Sequence, residues 1–86
     1  MYKMFTIILE PPAERFIRKL DKQEQVRLVK KIEELKENPK LGKPLVGQLS
    51  GIWSLRIGQY RALYQIKEQQ LIIFVLRIGH RKNVYE

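Results

Sequence analysis

The spacing of apolar residues along the chain predicts a strand followed by two helices. Residues 3–9 (KMFTIIL) are rich in β-forming side chains and predict a first strand, which Pro11 and Pro12 end. The same prolines suit the first turn of a helix, because the amide proton that they lack has no partner there. A stripe at helical spacing follows, formed by Ala13, Phe16, Ile17 and Leu20. This stripe predicts a short first helix.

A second helix is predicted to start at Lys22. Asp21, with Glu24 three residues later, resembles a capping box. One face of this helix is expected to be apolar, formed by Val26, Leu28, Val29, Ile32 and Leu35. The remaining positions carry charges: Arg27, Lys30, Lys31, Glu33, Glu34 and Glu37. We interpret these charges as a solvated face, and Asn38 with Pro39 as the end of the helix.

Three antiparallel strands are predicted in the second half of the chain, at residues 52–57, 60–66 and 71–78. A loop over residues 39–51 leads into them. Alternation in the first two strands predicts a shared set under the helices: Trp53, Leu55, Ile57, Tyr60, Ala62 and Tyr64. The last strand is apolar on both faces, which indicates a central position.

The predicted fold class is therefore α+β, in a single domain over residues 1–86. An N-terminal strand and a two-helix hairpin are expected, with the helices packed on one face of a mainly antiparallel four-stranded sheet. The length of 86 residues suits one domain with a modest core.

The turn between the first two of these three strands is predicted to bring two arginines face to face. If Gly58 and Gln59 form a two-residue turn, with Gly58 at positive φ, Arg56 lies directly opposite Arg61. Side chains so placed have Cβ atoms about 5 Å apart, and like charges are destabilising there. An anionic ligand gives a better reason for the pair, because guanidinium groups match phosphate oxygens.

The register of the last strand decides where Arg77 lies. A three-residue connection near residues 67–70 places Arg77 beside Arg56 and Arg61, whereas a two- or four-residue connection sends it under the helices. We predict the first arrangement, because a charge beneath two helices would be costly.

The charge of the chain indicates an anionic partner. The formal net charge is +8, and residues 40–86 hold eight Lys and Arg against two acids, Glu68 and Glu86. The sequence has no cysteine and one histidine, so thiol nucleophiles, thiolate metal sites and multi-histidine zinc sites are excluded. No cofactor is predicted. The longest apolar run, Leu71–Leu76, is too short to span a membrane, and an intracellular, cytoplasmic protein is expected.

The predicted order of elements, together with WSLRIGQYRALYQI and VLRIGHRKNVYE in the second half, resembles the RelE/ParE superfamily of toxins over nearly the whole chain. RelE-like members are small microbial ribonucleases that enter the ribosomal decoding site and cut messenger RNA. The resemblance implies a toxin of a toxin-antitoxin pair that inhibits translation as a metal-independent, ribosome-dependent endoribonuclease. The implied partners are an acidic RelB-like antitoxin, the ribosome and messenger RNA, with operator DNA reached only through the antitoxin and no membrane.

Two other functions stay open at this point. ParE-like members share the fold, act on DNA gyrase and commonly lack the catalytic residues. The chain would then be a gyrase inhibitor without nuclease activity. A third reading is a non-catalytic RNA-binding module whose arginines only position phosphates.

The resemblance also gives candidate catalytic residues. Arg61 matches the arginine that clamps the phosphate, Arg81 the basic residue near the leaving group, and Tyr85 the terminal tyrosine that stacks on a base or orients the ribose. Arg56 falls where better-studied members carry a lysine proposed as the base, yet arginine stays protonated at any working pH and is a poor proton acceptor. His80 is the candidate replacement, because imidazole ordinarily titrates near neutral pH.

Further residues are RNA-binding candidates: Lys43, Ser54, Arg77 and Lys82. Ser54 lies where those members have a second lysine. Structural roles remain open for several positions. Lys43 is either an ordinary surface lysine or an outer contact to the RNA backbone. Tyr85 either acts on the RNA or pins the terminus, and a lone histidine in a polar terminal segment is often merely exposed.

Overall fold

Residues 4–82 are described by a computed structural model, in which two helices pack against one mixed sheet. The elements are β1 (Thr6–Leu9), α1 (Pro11–Arg18), α2 (Lys22–Glu33), β2 (Lys43–Pro44), β3 (Trp53–Ile57), β4 (Tyr60–Lys67) and β5 (Ile72–His80). The strand order is β1-β5-β4-β3-β2, with β1 parallel to β5 and every other neighbouring pair antiparallel. The predicted α+β class and the interior position of the last strand are confirmed.

Among the described residues, the sheet contains five strands, one more than the predicted four. Within the segment predicted as a loop, Lys43 pairs with Ser54 and Pro44 with Trp53. A two-residue strand has no alternation by which a sequence could reveal it. Proline fits this position because β2 lies at the edge of the sheet, where a missing amide donor costs least.

The helices bury a narrower stripe than the sequence predicts. Asp21 caps α2 as expected, since its carboxylate accepts a hydrogen bond from the Glu24 amide at 3.0 Å. The buried side chains on α2 and the 3₁₀ turn that follows it (Glu34–Lys36) are Leu28, Ile32 and Leu35. Val26 and Val29 are 58% and 38% exposed, so the predicted apolar face is only partly buried. Val26 stands two residues before the stripe, and two residues turn a helix by about 200°. No helix within residues 4–82 is long and apolar enough to cross a membrane.

The core lies between the helix pair and one face of the sheet. Its strand residues include the predicted set Leu55, Ile57, Tyr60, Ala62 and Tyr64, joined by Ile73, Val75 and Ile78, and Phe5 joins them from just before β1. Trp53 packs against this core and stacks on Tyr64 with 6.3 Å between ring centroids, as expected for a core anchor.

The β3–β4 hairpin has the predicted register. Arg56 pairs with Arg61, and Gly58 in the turn has a φ of 59°, which glycine adopts without strain. The sheet face opposite the helices therefore carries Ser54, Arg56, Arg61, Leu63 and Arg77. We call this surface the arginine face.

Arg77 reaches the arginine face by a route that the sequence does not predict. Lys67 pairs with Ile72, so residues 68–71 form a four-residue connection. That length alone would turn Arg77 toward the helices. A bulge at Leu76 reverses the alternation, however, and Arg77 pairs with Leu63 on the outer side. The predicted position of Arg77 is confirmed, and the predicted loop length is wrong.

Tyr64 ties the segment before β3 to the centre of the sheet. Its side chain is fully buried, and its hydroxyl donates to the Pro39 carbonyl at 2.7 Å and accepts from the Gly42 amide at 3.0 Å. A Cβ at Gly42 would lie 2.5 Å from the Ser54 carbonyl oxygen, so only glycine fits this approach. These contacts hold Lys43 of β2 beside β3. Burial raises the pKa of Tyr64, and the hydrogen bond from Gly42 opposes that rise.

Replacing Tyr64 with Phe is expected to lower the free energy of unfolding by about 1–3 kcal/mol, because the Pro39 carbonyl and the Gly42 amide lose a buried partner. Since the folded-state pKa of Tyr64 is raised, the neutral hydroxyl stabilises the fold fully below about pH 10, and this contribution is lost as the pH rises further. Urea unfolding of both proteins across the alkaline range measures the effect. A difference between them that stays constant above pH 10 would contradict it.

Candidate nucleic-acid interface on the sheet

The arginine face presents two rows of side chains across neighbouring strands. The first row is Lys43, Ser54, Leu63 and Arg77, on β2, β3, β4 and β5 in that order. The second row is Arg56, Arg61 and Gly79. Paired positions have Cβ atoms about 5 Å apart, so cationic side chains from four strands converge on one surface.

Arg61 is held in place by a neutral partner. Its Nη1 donates to the Ser54 hydroxyl at 3.0 Å. Its Nε is buried and has no hydrogen-bond partner among residues 4–82. A buried donor without a partner is unusual in a folded protein. Arg61 is therefore oriented by the fold, and its side chain remains partly exposed.

The ion pairs within the described residues lie elsewhere. They are Arg18–Glu14, Arg27–Glu24, Lys31–Glu34 and Lys36–Glu33, all on the helices or the 3₁₀ turn after α2. Across residues 4–82, no carboxylate pairs with Arg56 or Arg61. Arg56 is exposed next to Arg61, as the hairpin register requires. Arg56 and Arg61 thus place two cationic side chains at paired positions, and no carboxylate among residues 4–82 neutralises them.

Ser54 is buried at its place on the arginine face. It is 3% exposed, and its hydroxyl accepts the hydrogen bond from Arg61. A side chain so deeply buried cannot offer its hydroxyl to a polymer in solution. Ser54 therefore contacts Arg61, and a role in RNA binding through that contact stays a prediction. The alternation of β3 and β4 shows that the two residues share a face, but the sequence alone does not reveal the bond between them.

The turn after β5 lies at the hairpin end of the sheet. The Arg81 amide donates to the Gln59 carbonyl at 3.0 Å, which fixes this turn beside the Gly58–Gln59 turn. Arg81 and Lys82 are both exposed there. Two predicted candidates are thereby brought to the end of the sheet that carries Arg56 and Arg61. Tyr85 lies outside the described residues, and its role stays a prediction.

His80 lies on the other side of the sheet from Arg61. It pairs with Tyr60, whose side chain belongs to the core beneath the helices. The His80 ring centroid is 5.3 Å from that of Tyr60 and 6.0 Å from that of Phe16. His80 is exposed and lines a pocket with Arg81 and Lys82, but the strand register places it on the side of the sheet opposite Arg61. The sequence carried a signal for this placement, because His80 stands two residues after the buried Ile78 on the same strand.

Arg56→Gln is expected to leave the unliganded protein as stable as before, or slightly more stable, because it removes the repulsion between Arg56 and Arg61. Millimolar inorganic phosphate should raise the melting temperature of the wild type more than chloride does at matched ionic strength, and this excess should shrink in the variant. Thermal unfolding monitored by circular dichroism measures both effects. A loss of more than about 1 kcal/mol in the unliganded variant would show that Arg56 is structural.

Comparison with known proteins places these features in a family. Residues 7–85 match the family described as the ParE toxin of the type II toxin-antitoxin system, parDE. Toxin RelG of Mycobacterium tuberculosis is 40% identical over 50 residues, which are 58% of this chain and 58% of RelG. The chain thus matches little more than half the length of that curated relative.

Solved structures agree with this match. The toxin-antitoxin complex RelBE2 from Mycobacterium tuberculosis contains a chain that superposes with a TM-score of 0.83 at 32% identity, over 91% of this chain and 99% of that chain. The isolated Escherichia coli RelE toxin superposes with a TM-score of 0.74 at 22% identity, over 88% of this chain and 83% of that chain, which shows a shared fold. Because the family match spans nearly all of its residues, the chain belongs to the ParE toxin family of type II toxin-antitoxin systems, within the RelE/ParE superfamily that its motifs predicted.

Proposed function

We propose that this chain is a translation-inhibiting toxin that cuts messenger RNA on the ribosome. The main support for the proposal is the environment of the Arg61 side chain. Ser54 orients it, its Nε is buried without a partner among residues 4–82, and a second arginine lies directly opposite. Donors fixed in advance around developing negative charge are a main source of catalytic power. A phosphate that accepts from Arg61 would complete this site.

The proposed reaction is attack of a ribose 2′-hydroxyl on the adjacent phosphate. This chemistry needs a base for the hydroxyl proton, donors for the extra negative charge and an acid for the departing 5′-oxygen. Arg61 and Arg56 hold the charge. Lys43 and Arg77, at the two ends of the first row, contact neighbouring phosphates. Arg81, at the hairpin end, serves the leaving group.

The general base of this reaction is not supplied by Arg56 or Arg61. Arginine does not give up its proton under working conditions, and His80 lies on the opposite side of the sheet. A site of fixed cations accelerates the reaction most when another body holds the RNA with the 2′-hydroxyl in line with the phosphate. We propose that the ribosome provides this alignment, which makes cleavage ribosome-dependent and places the protein in the cytoplasm.

An antitoxin is the proposed regulator of this activity. The RelBE2 complex of Mycobacterium tuberculosis and the RelBE complex of Escherichia coli both contain chains similar to this one. A net charge of +8 favours a partner with acidic segments, because such segments neutralise the arginine face. By this proposal the chain meets operator DNA only through its antitoxin.

Gyrase inhibition is the second candidate function. The description of the matching family as ParE toxins favours it. By that alternative the protein binds its target and cleaves no RNA. Gyrase inhibition does not explain why Ser54 orients Arg61. For this reason we place it second.

Induced expression of the wild type is expected to produce truncated messenger RNAs and to halt translation, whereas Arg61→Ala should produce neither. Loss of one preorganised donor lowers such rates by about 10²–10³-fold. Sequencing of RNA 5′ ends after induction, with a parallel assay for the DNA damage response, measures the outcome. Intact messages together with DNA damage signalling would refute the nuclease and support gyrase inhibition.

Ser54→Ala provides a graded test in the same assay. Arg61 keeps its charge in this variant but loses its fixed orientation, and a displacement of about 1 Å can cost about a hundredfold in rate. We expect cleavage between the levels of the wild type and Arg61→Ala, with the fold intact by circular dichroism. Cleavage at the wild-type rate would show that Ser54 does not position Arg61.

His80→Gln is expected to retain RNA cleavage, because His80 contacts Phe16 and Tyr60 and not the arginine pair. The predicted effect is a small loss of stability from weaker packing between aromatic rings, about 0.5–1.5 kcal/mol. Cleavage rates and melting temperatures measured on one preparation separate the two effects. Abolished cleavage at an unchanged melting temperature would restore His80 as the base.

A further inference from the structure

A second concentration of positive charge lies beside the arginine face. A groove of about 380 Å³ runs between α2 and the β3–β4 turn. It is lined by Arg27, Lys30, Lys31 and Glu34 on one side and by Arg56 and Gly58 on the other. Because Arg56 belongs to both surfaces, the groove continues the arginine face around the edge of the sheet.

Residues 4–82 leave this edge uncovered. Within the described residues, β2 pairs only with Trp53 and Ser54 of β3, so Arg56 lies beyond the end of β2. The space next to Arg56 is bounded by α2 and not by another strand. A polymer that lies on the arginine face can therefore continue past Arg56 into the groove.

Arg27 is held in the groove by specific contacts. Its guanidinium lies against the backbone of the hairpin turn, since a Cβ at Gly58 would be 2.5 Å from Nη2. Its Nη1 is 3.5 Å from a carboxylate oxygen of Glu24, and the other oxygen of Glu24 accepts from the Tyr60 hydroxyl at 3.2 Å. The Arg27 side chain nevertheless stays 59% exposed. It is thus fixed in direction and accessible to a ligand.

The charges that line the groove do not balance. Four cationic side chains and one carboxylate face it, which leaves a surplus of three positive charges. Glu34 pairs with Lys31 at 3.4 Å, and Glu24 pairs with Arg27. Lys30 and Arg56 form no ion pair with any residue between 4 and 82. The sequence alone suggested a solvated helix face, but the structure concentrates these cations in a concave surface.

We propose that this groove binds the phosphate backbone of single-stranded RNA that extends beyond the cleavage site. The inference rests on the proposed function, because it names a second contact region for the same substrate. A nucleic-acid backbone carries a charge at every nucleotide and can span both surfaces continuously. An acidic protein helix fits less well, since it would also need apolar anchor pockets. Ile57 is the one apolar side chain lining this groove in the described structure, and it is 4% exposed.

The salt dependence of RNA binding tests the proposal. The probes are fluorescent 2′-O-methyl oligonucleotides of about three and about ten nucleotides, which cannot undergo 2′-hydroxyl attack. Arg27→Gln/Lys30→Gln is compared with Arg15→Gln/Lys19→Gln, which removes the same charge from exposed positions that do not line the groove. For the longer probe, the negative slope of log K against log salt should become shallower by about 1.4 in the groove variant. Each lost contact to a single strand removes about 0.7 from the magnitude of the slope. The control variant and the shorter probe should show little change.

Several outcomes would overturn the proposal. Equal loss of slope in both double variants would show a general effect of net charge. An unchanged slope in the groove variant would show that RNA does not reach α2. Unchanged RNA binding with weakened binding of the antitoxin, measured by calorimetry, would assign the groove to an acidic protein segment. Lys30→Gln alone repeats the test without disturbing the contacts of Arg27, with an expected slope change of about 0.7.

Cleavage on ribosomes is measured separately with unmodified message. Intact message together with the reduced slope would refute the nuclease and leave the groove as an RNA-binding surface. Cleaved message with an unchanged slope would refute the groove and leave the nuclease. The two proposals therefore fail in different assays.

Discussion

The pairing of β3 with β4 is the constraint on which the site depends. Side chains alternate across a sheet, so a slip of one residue in this hairpin would carry Arg56 or Arg61 into the core and expose the apolar residues beside it. The observed register is required by the turn at Gly58, which has a positive φ. It is also required by Leu55 and Ala62, which pair with each other and are both buried. The forces that bury the core therefore also fix the arginine pair, and the site gains its geometry from the packing of the opposite face.

The fold was predictable wherever a single face was buried. Alternation in β3 and β4 gave the correct faces and the Arg56–Arg61 pair, because any other register exposes several core residues. The β2 strand was not predictable, since it is two residues long and Tyr64 fixes its position from a strand distant in sequence. Val26 and Val29 are exposed because an apolar side chain at the flank of a helix buries only if a neighbouring element covers it, and sequence periodicity does not report the neighbour.

The candidate site was predictable in its charges and less so in its contacts. Arg77 reached the expected face through two departures that cancel, a longer connection and a bulge at Leu76. A charged residue cannot lie under the helices without cost, so the chain accommodates the longer loop by reversing its alternation before Arg77. The same alternation places His80 against the helices, two residues after Ile78. Ser54 shows the limit of reasoning from a motif. The resemblance implies a lysine at this position, whereas the serine found there supplies the hydroxyl that accepts a hydrogen bond from Arg61.

The distribution of charge links the fold to the proposed activity. Acids pair with bases on the helices, while the arginine pair on the sheet has no carboxylate partner within residues 4–82. A domain of this size has little stability to spare, so repulsion between arginines at paired positions favours any ligand that removes it. Phosphate satisfies the guanidinium donors and cancels the repulsion in one step. A negative charge that grows on the phosphate during reaction strengthens both effects. The feature that costs the unliganded fold stability therefore favours the transition state of phosphate chemistry over its ground state.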